Sequence, residues 1–117
     1  MEWLKHLVVK RDGECILVNG WKVGTRYGKY SNGQLRYARS YDHDQQHGIQ
    51  RRWCENGQLW YEHNYDHDQQ HGIQRRWYEN GQLKYKLSYD HGQQHGIQRR
   101  WYENGQLAHE WNQQAIY

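Results

Sequence analysis

Segments rich in aromatic and branched residues, such as IQRRWYE and QLKYKLSY, alternate along this chain with polar turn signals, and a glycine falls about every dozen residues. Short aromatic and β-branched runs bounded by turn residues read as β-strands. Helix is the competing reading, but the glycines leave no uninterrupted helical window, and each would cost about 1 kcal/mol against Ala. Two turn signals recur. One is Asn-Gly, at Asn32-Gly33, Asn56-Gly57, Asn80-Gly81 and Asn104-Gly105. It predicts a type I′ hairpin turn, which needs positive φ at both central residues. The other is the polar stretch DHDQQHG, closed by a glycine.

The pattern is an internal repeat. HGIQRRW occupies 47–53, 71–77 and 95–101; ENGQL occupies 55–59, 79–83 and 103–107, with SNGQL at 31–35. YDHDQQHG at 41–48 and 65–72 returns as YDHGQQHG at 89–96, so every spacing is 24 residues. Gly24 falls in register with Gly48, and Tyr30 with Cys54, Tyr78 and Tyr102, so a degenerate first unit keeps the phase. With a two-residue turn at Asn-Gly, Trp53 lies opposite Trp60, and Cys54 opposite Leu59. Alternation then puts Leu59, Tyr61, Tyr65, Cys54 and Arg52 on one face, and Ile49, Arg51, Trp53 and Trp60 on the other. A change of one residue in turn length would swap these partners. Isolated hairpins are marginal in water, and stacking identical ones supplies the missing neighbours and lines like residues into ladders. The expected fold class is all-β: an elongated single-sheet solenoid of about four to five stacked antiparallel hairpins, with almost no helix.

Composition decides what the core is made of. Mean hydropathy is −1.42, Leu, Ile and Val together number 17 of 117 residues, and Phe is absent. That composition would suit a disordered chain, but the net charge is only +3 and there are 7 Trp and 11 Tyr. The core must therefore be built mainly from Trp and Tyr, each of which buries roughly 150–250 Å². There is no proline to interrupt a strand. Cys15 and Cys54 show no metal-ligand spacing and lie a whole hairpin apart, so no disulfide is expected and Cys54 should be a half-buried packing residue. No apolar run reaches the roughly 18 residues of a membrane span, and residues 1–9 are too short in apolar content for a secretion signal, so a soluble, intracellular protein is expected.

The unit x-Y-E-N-G-Q-L-x-Y-x-x-x-Y-D-x-x-Q-Q-H-G-I-Q-R-R-W resembles the MORN repeat over about residues 20–107. It is closest to the variant form with a Tyr/Trp-Glu-Asn-Gly-Gln-Leu turn, found in bacterial proteins and in large DNA viruses of amoebae. The resemblance implies a curved single sheet with an aromatic-lined groove, and a scaffold, a dimerisation module or a membrane-proximal adaptor; for a viral protein it implies the host cytoplasm. Residues 1–19 depart from the pattern and read as a capping hairpin turning at Asp12-Gly13. Residues 108–117 read as a capping strand, all within one domain.

Two candidate chemistries follow from the repeats. Asp42, His43, Asp44 and His47 recur as Asp66, His67, Asp68 and His71, and one loop could offer Asp-x-Asp plus His to a metal. Asp also favours turns for backbone reasons, and the third copy replaces Asp68 with Gly92, so no metal site and no cofactor are expected. The pairs Arg51-Arg52, Arg75-Arg76 and Arg99-Arg100 send one arginine to each face. Beside Trp53, Trp77 and Trp101, such a ladder could hold an anionic lipid headgroup or a single strand of nucleic acid. Cross-strand pairing, for example Arg51 with Glu62, is the plainer reading, because 13 acids offset 16 bases. No Gly-rich phosphate loop, Cys-x-x-Cys motif or nucleophile in a recognisable setting is present, and identically repeated groups do not make one asymmetric active site, so an enzyme is not expected.

The expected function is a non-catalytic assembly module that forms a homodimer. The alternative is a groove that binds a peptide, a protein or an anionic lipid surface. Candidate interface or groove residues are Trp53, Trp77, Trp101, Arg51, Arg75, Arg99 and Trp111. The expected partner is a second copy or another protein; lipid is a weak alternative, and no specific nucleic acid is expected.

Overall fold

A computed structural model describes the backbone of residues 9–12, 15–18 and 21–114, and the side chains of 21–114. Strands β1 (Val9–Asp12), β2 (Cys15–Val18) and β3 (Trp21–Lys29) lead into a repeating set. The first set is β4 (Leu35–Asp42), the two-residue β5 (Gln45–Gln46) and β6 (Gly48–Trp53). It recurs as β7 (Leu59–Asp66), β8 (Gln69–Gln70) and β9 (Gly72–Trp77), then as β10 (Leu83–Asp90), β11 (Gln93–Gln94) and β12 (Gly96–Trp101), and β13 (Leu107–Gln113) closes the series. All pairings are antiparallel and join one open sheet in the order β1-β2-β3-β4-β6-β7-β9-β10-β12-β13. The short strands β5, β8 and β11 fold back on β4, β7 and β10. The molecule measures 55 × 47 × 18 Å, a single layer with no second element over either face among the described residues. The expected all-β stack of hairpins is what forms. The expected N-terminal hairpin forms between β1 and β2, but Asp12 pairs with Cys15 as the last residue of β1 and is not a turn residue as expected; residues 13 and 14 lie outside the described residues.

The two turn signals exchange roles relative to the sequence expectation. At Asn56-Gly57 the Cys54 carbonyl accepts from the Gly57 N–H at 3.0 Å, and the Gln58 carbonyl accepts from the Cys54 N–H at 2.8 Å. Only the glycine has positive φ, +89°, whereas Asn56 does not. This is a type I turn closed by a left-handed glycine, not type I′. Asparagine is selected here for its side chain. Its Oδ1 accepts from the Gln58 N–H at 2.9 Å, and in Asn32 and Asn80 the amide also donates to the Glu55 and Glu103 carbonyls of the next unit. The two-residue turns with both central φ positive lie at His43-Asp44 (49° and 65°), His67-Asp68 and His91-Gly92.

The turn geometry carries a bulge with it. Arg52 pairs with Tyr61 and Arg51 with Glu62, but Trp53 then pairs with Leu59, so Trp60 and Tyr61 share the space opposite Arg52. Trp60 therefore lies beside Tyr61, ring centroids 5.7 Å apart, with the guanidinium groups of Arg52 and Arg76 each 5.2 Å from its ring. This corrects the expected faces. Trp60 joins Tyr61 and Arg52, and Leu59 joins Trp53 and Arg51.

A second irregularity organises the interior. Ala38 pairs with Arg51, yet three residues on, Tyr41 pairs with Gln46, so residues 39–40 face residues 47–50 across an opened ladder. The Gln50 side chain fills the gap. Its Oε1 accepts from the Ser40 N–H at 2.9 Å and its Nε2 donates to the Ser40 carbonyl at 2.8 Å, as a neighbouring strand residue would. Gln74 does the same for Asn64, and Gln98 for Ser88. These three glutamines are 4, 1 and 0% exposed, while Ala38 and Leu87 are the buried apolar residues among those described. A buried amide with both ends satisfied is tolerated where an unpaired one would cost about 1–3 kcal/mol.

Candidate functional site

The register divides the side chains of the sheet between two faces. On one lie Tyr37, Tyr61 and Tyr85, paired with Gly28, Arg52 and Arg76, and Arg100. This tyrosine face is stacked upon itself. His63 lies on Tyr61 with ring centroids 4.5 Å apart and bonds the Tyr85 hydroxyl at 3.1 Å, and Arg39 covers Tyr37 at 4.2 Å. Burial, with the charge of Arg76, holds the His63 pKa below its ordinary value, and burial raises those of Tyr65 and Tyr85. Gly28 leaves room for the Tyr37 ring, which lies 2.1 Å from where a Cβ would stand and would have to shift to admit one.

The opposite, isoleucine face carries Ile49, Ile73 and Ile97 with Arg51, Arg75 and Arg99, and Trp53, Trp77 and Trp101 at the Asn-Gly end. Six of the seven expected site residues thus share one face. Trp111 pairs with Gln98 on the tyrosine face and stacks on His109 with ring centroids 4.9 Å apart. Across the isoleucine face, the pairings align one row: Ala38, Arg51, Glu62, Arg75, Lys86, Arg99 and Glu110. Glu62 accepts from Arg51 at 2.9 Å and from Arg75 at 3.2 Å, and Glu110 from Arg99 at 2.7 Å. Cross-strand pairing of Arg51 with Glu62 is thereby observed.

Two local sites break the uniformity. The hydroxyls of Tyr30 and Tyr78 donate to the Trp53 and Trp101 carbonyls of the following unit, at 2.6 and 2.7 Å. Cys54 stands where those tyrosines stand and cannot reach across. In its place is an open cleft of about 470 Å³, lined by Tyr30, Trp60, Arg76, Trp77, Tyr78 and Lys84. Cys54 is a half-buried free thiol at this cleft, as expected of a packing residue without a bridge.

The other local site is the edge of Asp and His turns, where side chains meet between units as well as within one loop. His67 Nδ1 lies 2.7 Å from Asp66 Oδ1, and its Nε2 lies 3.0 Å from Asp42 Oδ2. His91 repeats this with Asp90 at 2.7 Å and Asp66 at 2.9 Å. The bonds to Asp42 and Asp66 raise the His67 pKa, and those to Asp90 and Asp66 raise that of His91; the same bonds lower Asp42 and Asp66. Beside them, His47 Nδ1 is 3.5 Å from Asp66 and His71 Nδ1 is 3.6 Å from Asp90. The sequence reading treats these histidines as turn grammar and overlooks a signal in each loop, the His-x-x-x-His spacing of His43/His47, His67/His71 and His91/His95. Even that spacing names the wrong partners, because the ring beside His47 is that of His67, with centroids 4.4 Å apart.

No curated protein matches this chain. A sequence model of the MORN repeat variant matches residues 22–43, 46–67, 70–91 and 94–114, four consecutive segments whose starts are 24 residues apart and which suggest a non-catalytic repeat and binding module. Each segment spans one long hairpin of the sheet and its Asn-Gly turn, so sequence family and fold agree over most of the chain: it belongs to the MORN repeat variant family.

Proposed function

We propose that this chain is an assembly module that pairs with a second copy through its isoleucine face. The observation that carries this reading is the placement of its exposed apolar side chains. Of the seven large apolar residues most exposed among those described, Tyr27, Leu35, Ile49, Ile97 and Leu107 lie on this one face by register. A sheet ordinarily buries one face against a second layer, and this chain supplies none among the described residues. The charged row suits a twofold partner. A copy turned about an axis midway between Arg75 and Lys86 sets Arg51 against Glu110 and Glu62 against Arg99, leaving the like pair Arg75 and Lys86 at the centre. Unlike charges then meet at four of the six positions, and a twofold dimer is the commonest closed assembly.

Sedimentation at tens of micromolar tests the proposal. The expected mass is twice 14.5 kDa. Ile97→Asp, at a half-exposed site, should give the monomer, whereas Trp111→Asp on the other face should leave the dimer intact. Lys86→Glu should tighten the dimer by replacing the central like pair. A species of only 14.5 kDa would remove the reading.

The cleft beside Cys54 favours a second reading, a groove on the tyrosine face that takes an aromatic or aliphatic side chain of a protein partner against Trp60 and Tyr78. Cys54→Tyr should close the cleft and abolish such binding without altering self-association.

A further inference from the structure

The edge of Asp and His turns holds two copies of one three-residue arrangement. His47, Asp66 and His67 bring one ligand atom each to within 4.8 Å of one another, and His71, Asp90 and His91 do the same one unit further on. We propose that each triad is a binding site for a divalent transition-metal ion of the zinc type, and that a bound ion ties neighbouring repeats together at this edge.

The donor set selects the class of ion. Two imidazole nitrogens and one carboxylate suit zinc, copper or nickel, whereas calcium and magnesium require oxygen ligands. The spacing fits as well. Two ligands about 2.1 Å from a tetrahedral zinc ion stand about 3.4 Å apart. The His47–Asp66 and His71–Asp90 separations of 3.5 and 3.6 Å are already at that value. The 2.7 Å contact between His67 and Asp66 is a hydrogen bond, which the ion would replace; both side chains are partly exposed and can open by the remaining fraction of an ångström.

A second observation points the same way. A histidine that holds a metal ordinarily donates its other nitrogen to a carboxylate, which fixes the ring. His67 turns its Nε2 to Asp42 and His91 turns its Nε2 to Asp66. Asp66 therefore serves both sites, as ligand through Oδ1 in the first and as orienting group through Oδ2 in the second. Among the described residues the repeat also limits such triads to two. The preceding unit has Val23 where His47 stands, and the following one has Gln114 where Asp90 stands.

Calorimetric titration of the full chain with Zn²⁺ at pH 7.5 tests this, with circular dichroism to confirm that each variant keeps its β-sheet. The expected stoichiometry is two ions per chain. His47→Ala should reduce it to one and His47→Ala with His71→Ala to none, while His63→Ala and His95→Ala should change nothing. Asp42→Asn removes no ligand, yet should weaken the first site about 10- to 100-fold through loss of ring orientation. Binding should also release protons and weaken as the pH falls, because the metal competes with the imidazolium protons. No saturable binding, or two ions still bound by the folded double variant, would overturn the proposal. A stoichiometry that follows the total number of histidines would do so too.

Discussion

The two turn edges of this sheet are built from the same 24-residue unit and held together in different ways. At the Asn-Gly edge the backbone closes itself. The carbonyl of residue 54 and its counterparts accept from the turn glycine, and the asparagine amides reach the next unit through backbone carbonyls. At the edge of Asp and His turns the ladder is open, and side chains complete it. Gln74 stands in for a strand residue, and Asp68 Oδ1 accepts from the Gln46 N–H of the preceding unit at 2.8 Å while its own N–H donates to the Gln46 carbonyl. The lesson is that chemistry collects where side chains, not backbone, carry the pairing, because titratable groups are then drawn from adjacent units into contact.

The largest effect should come from breaking the side-chain edge at its buried point. Gln74→Ala removes the partner of the Asn64 N–H in a closed interior and should cost about 2–4 kcal/mol in urea unfolding, the penalty of an unsatisfied group plus lost packing. A loss under about 0.5 kcal/mol would show that the open ladder needs no glutamine. At the backbone edge the sensitive residue is the glycine. Gly57→Ala places a Cβ at φ +89°, and should cost about 1–2 kcal/mol by the same measurement. Next is a gain. Cys54→Tyr restores the missing hydroxyl bond to the Trp77 carbonyl and fills the cleft, and should stabilise by about 0.5–1.5 kcal/mol, with Tyr78→Phe losing a similar amount.

The smallest effect is that of pH on the exposed Asp and His contacts. His67 and His91 have raised pKa values, so their contribution is complete below the unfolded value of about 6.5 and fades as the pH rises through the folded value. Asp42 and Asp66 have lowered values, so theirs is complete above about 3.9 and fades as the pH falls through the folded value. The contacts should be firmest between roughly pH 4 and 6.5. His63, held neutral by burial, acts oppositely and loses stability as the pH falls through about 6.5. Imidazole resonances followed by NMR should therefore titrate at higher pH for His67 and His91 than for His63. The reverse order would contradict the geometry at both places.

What the chain states by itself is whatever is local and periodic. The exact 24-residue recurrence of HGIQRRW and ENGQL implies stacked units, and Asn-Gly between aromatic runs implies hairpins, because a turn and its flanking strands depend on neighbouring residues alone. Even Arg51 with Glu62 was legible, since pairing within one hairpin follows from the turn. Three things were decided only by tertiary structure. The bulge at Leu59–Tyr61 moved Trp60 to the tyrosine face, because one extra residue shifts the alternation that sequence parity relies on. The role of Gln50, Gln74 and Gln98 was hidden, because a polar residue in a strand looks solvent-facing until the ladder beside it is seen to open. The meeting of His47 with Asp66 and His67 was hidden for the same kind of reason: it lies between units, and which turn residues touch is set by how one hairpin seats on the next.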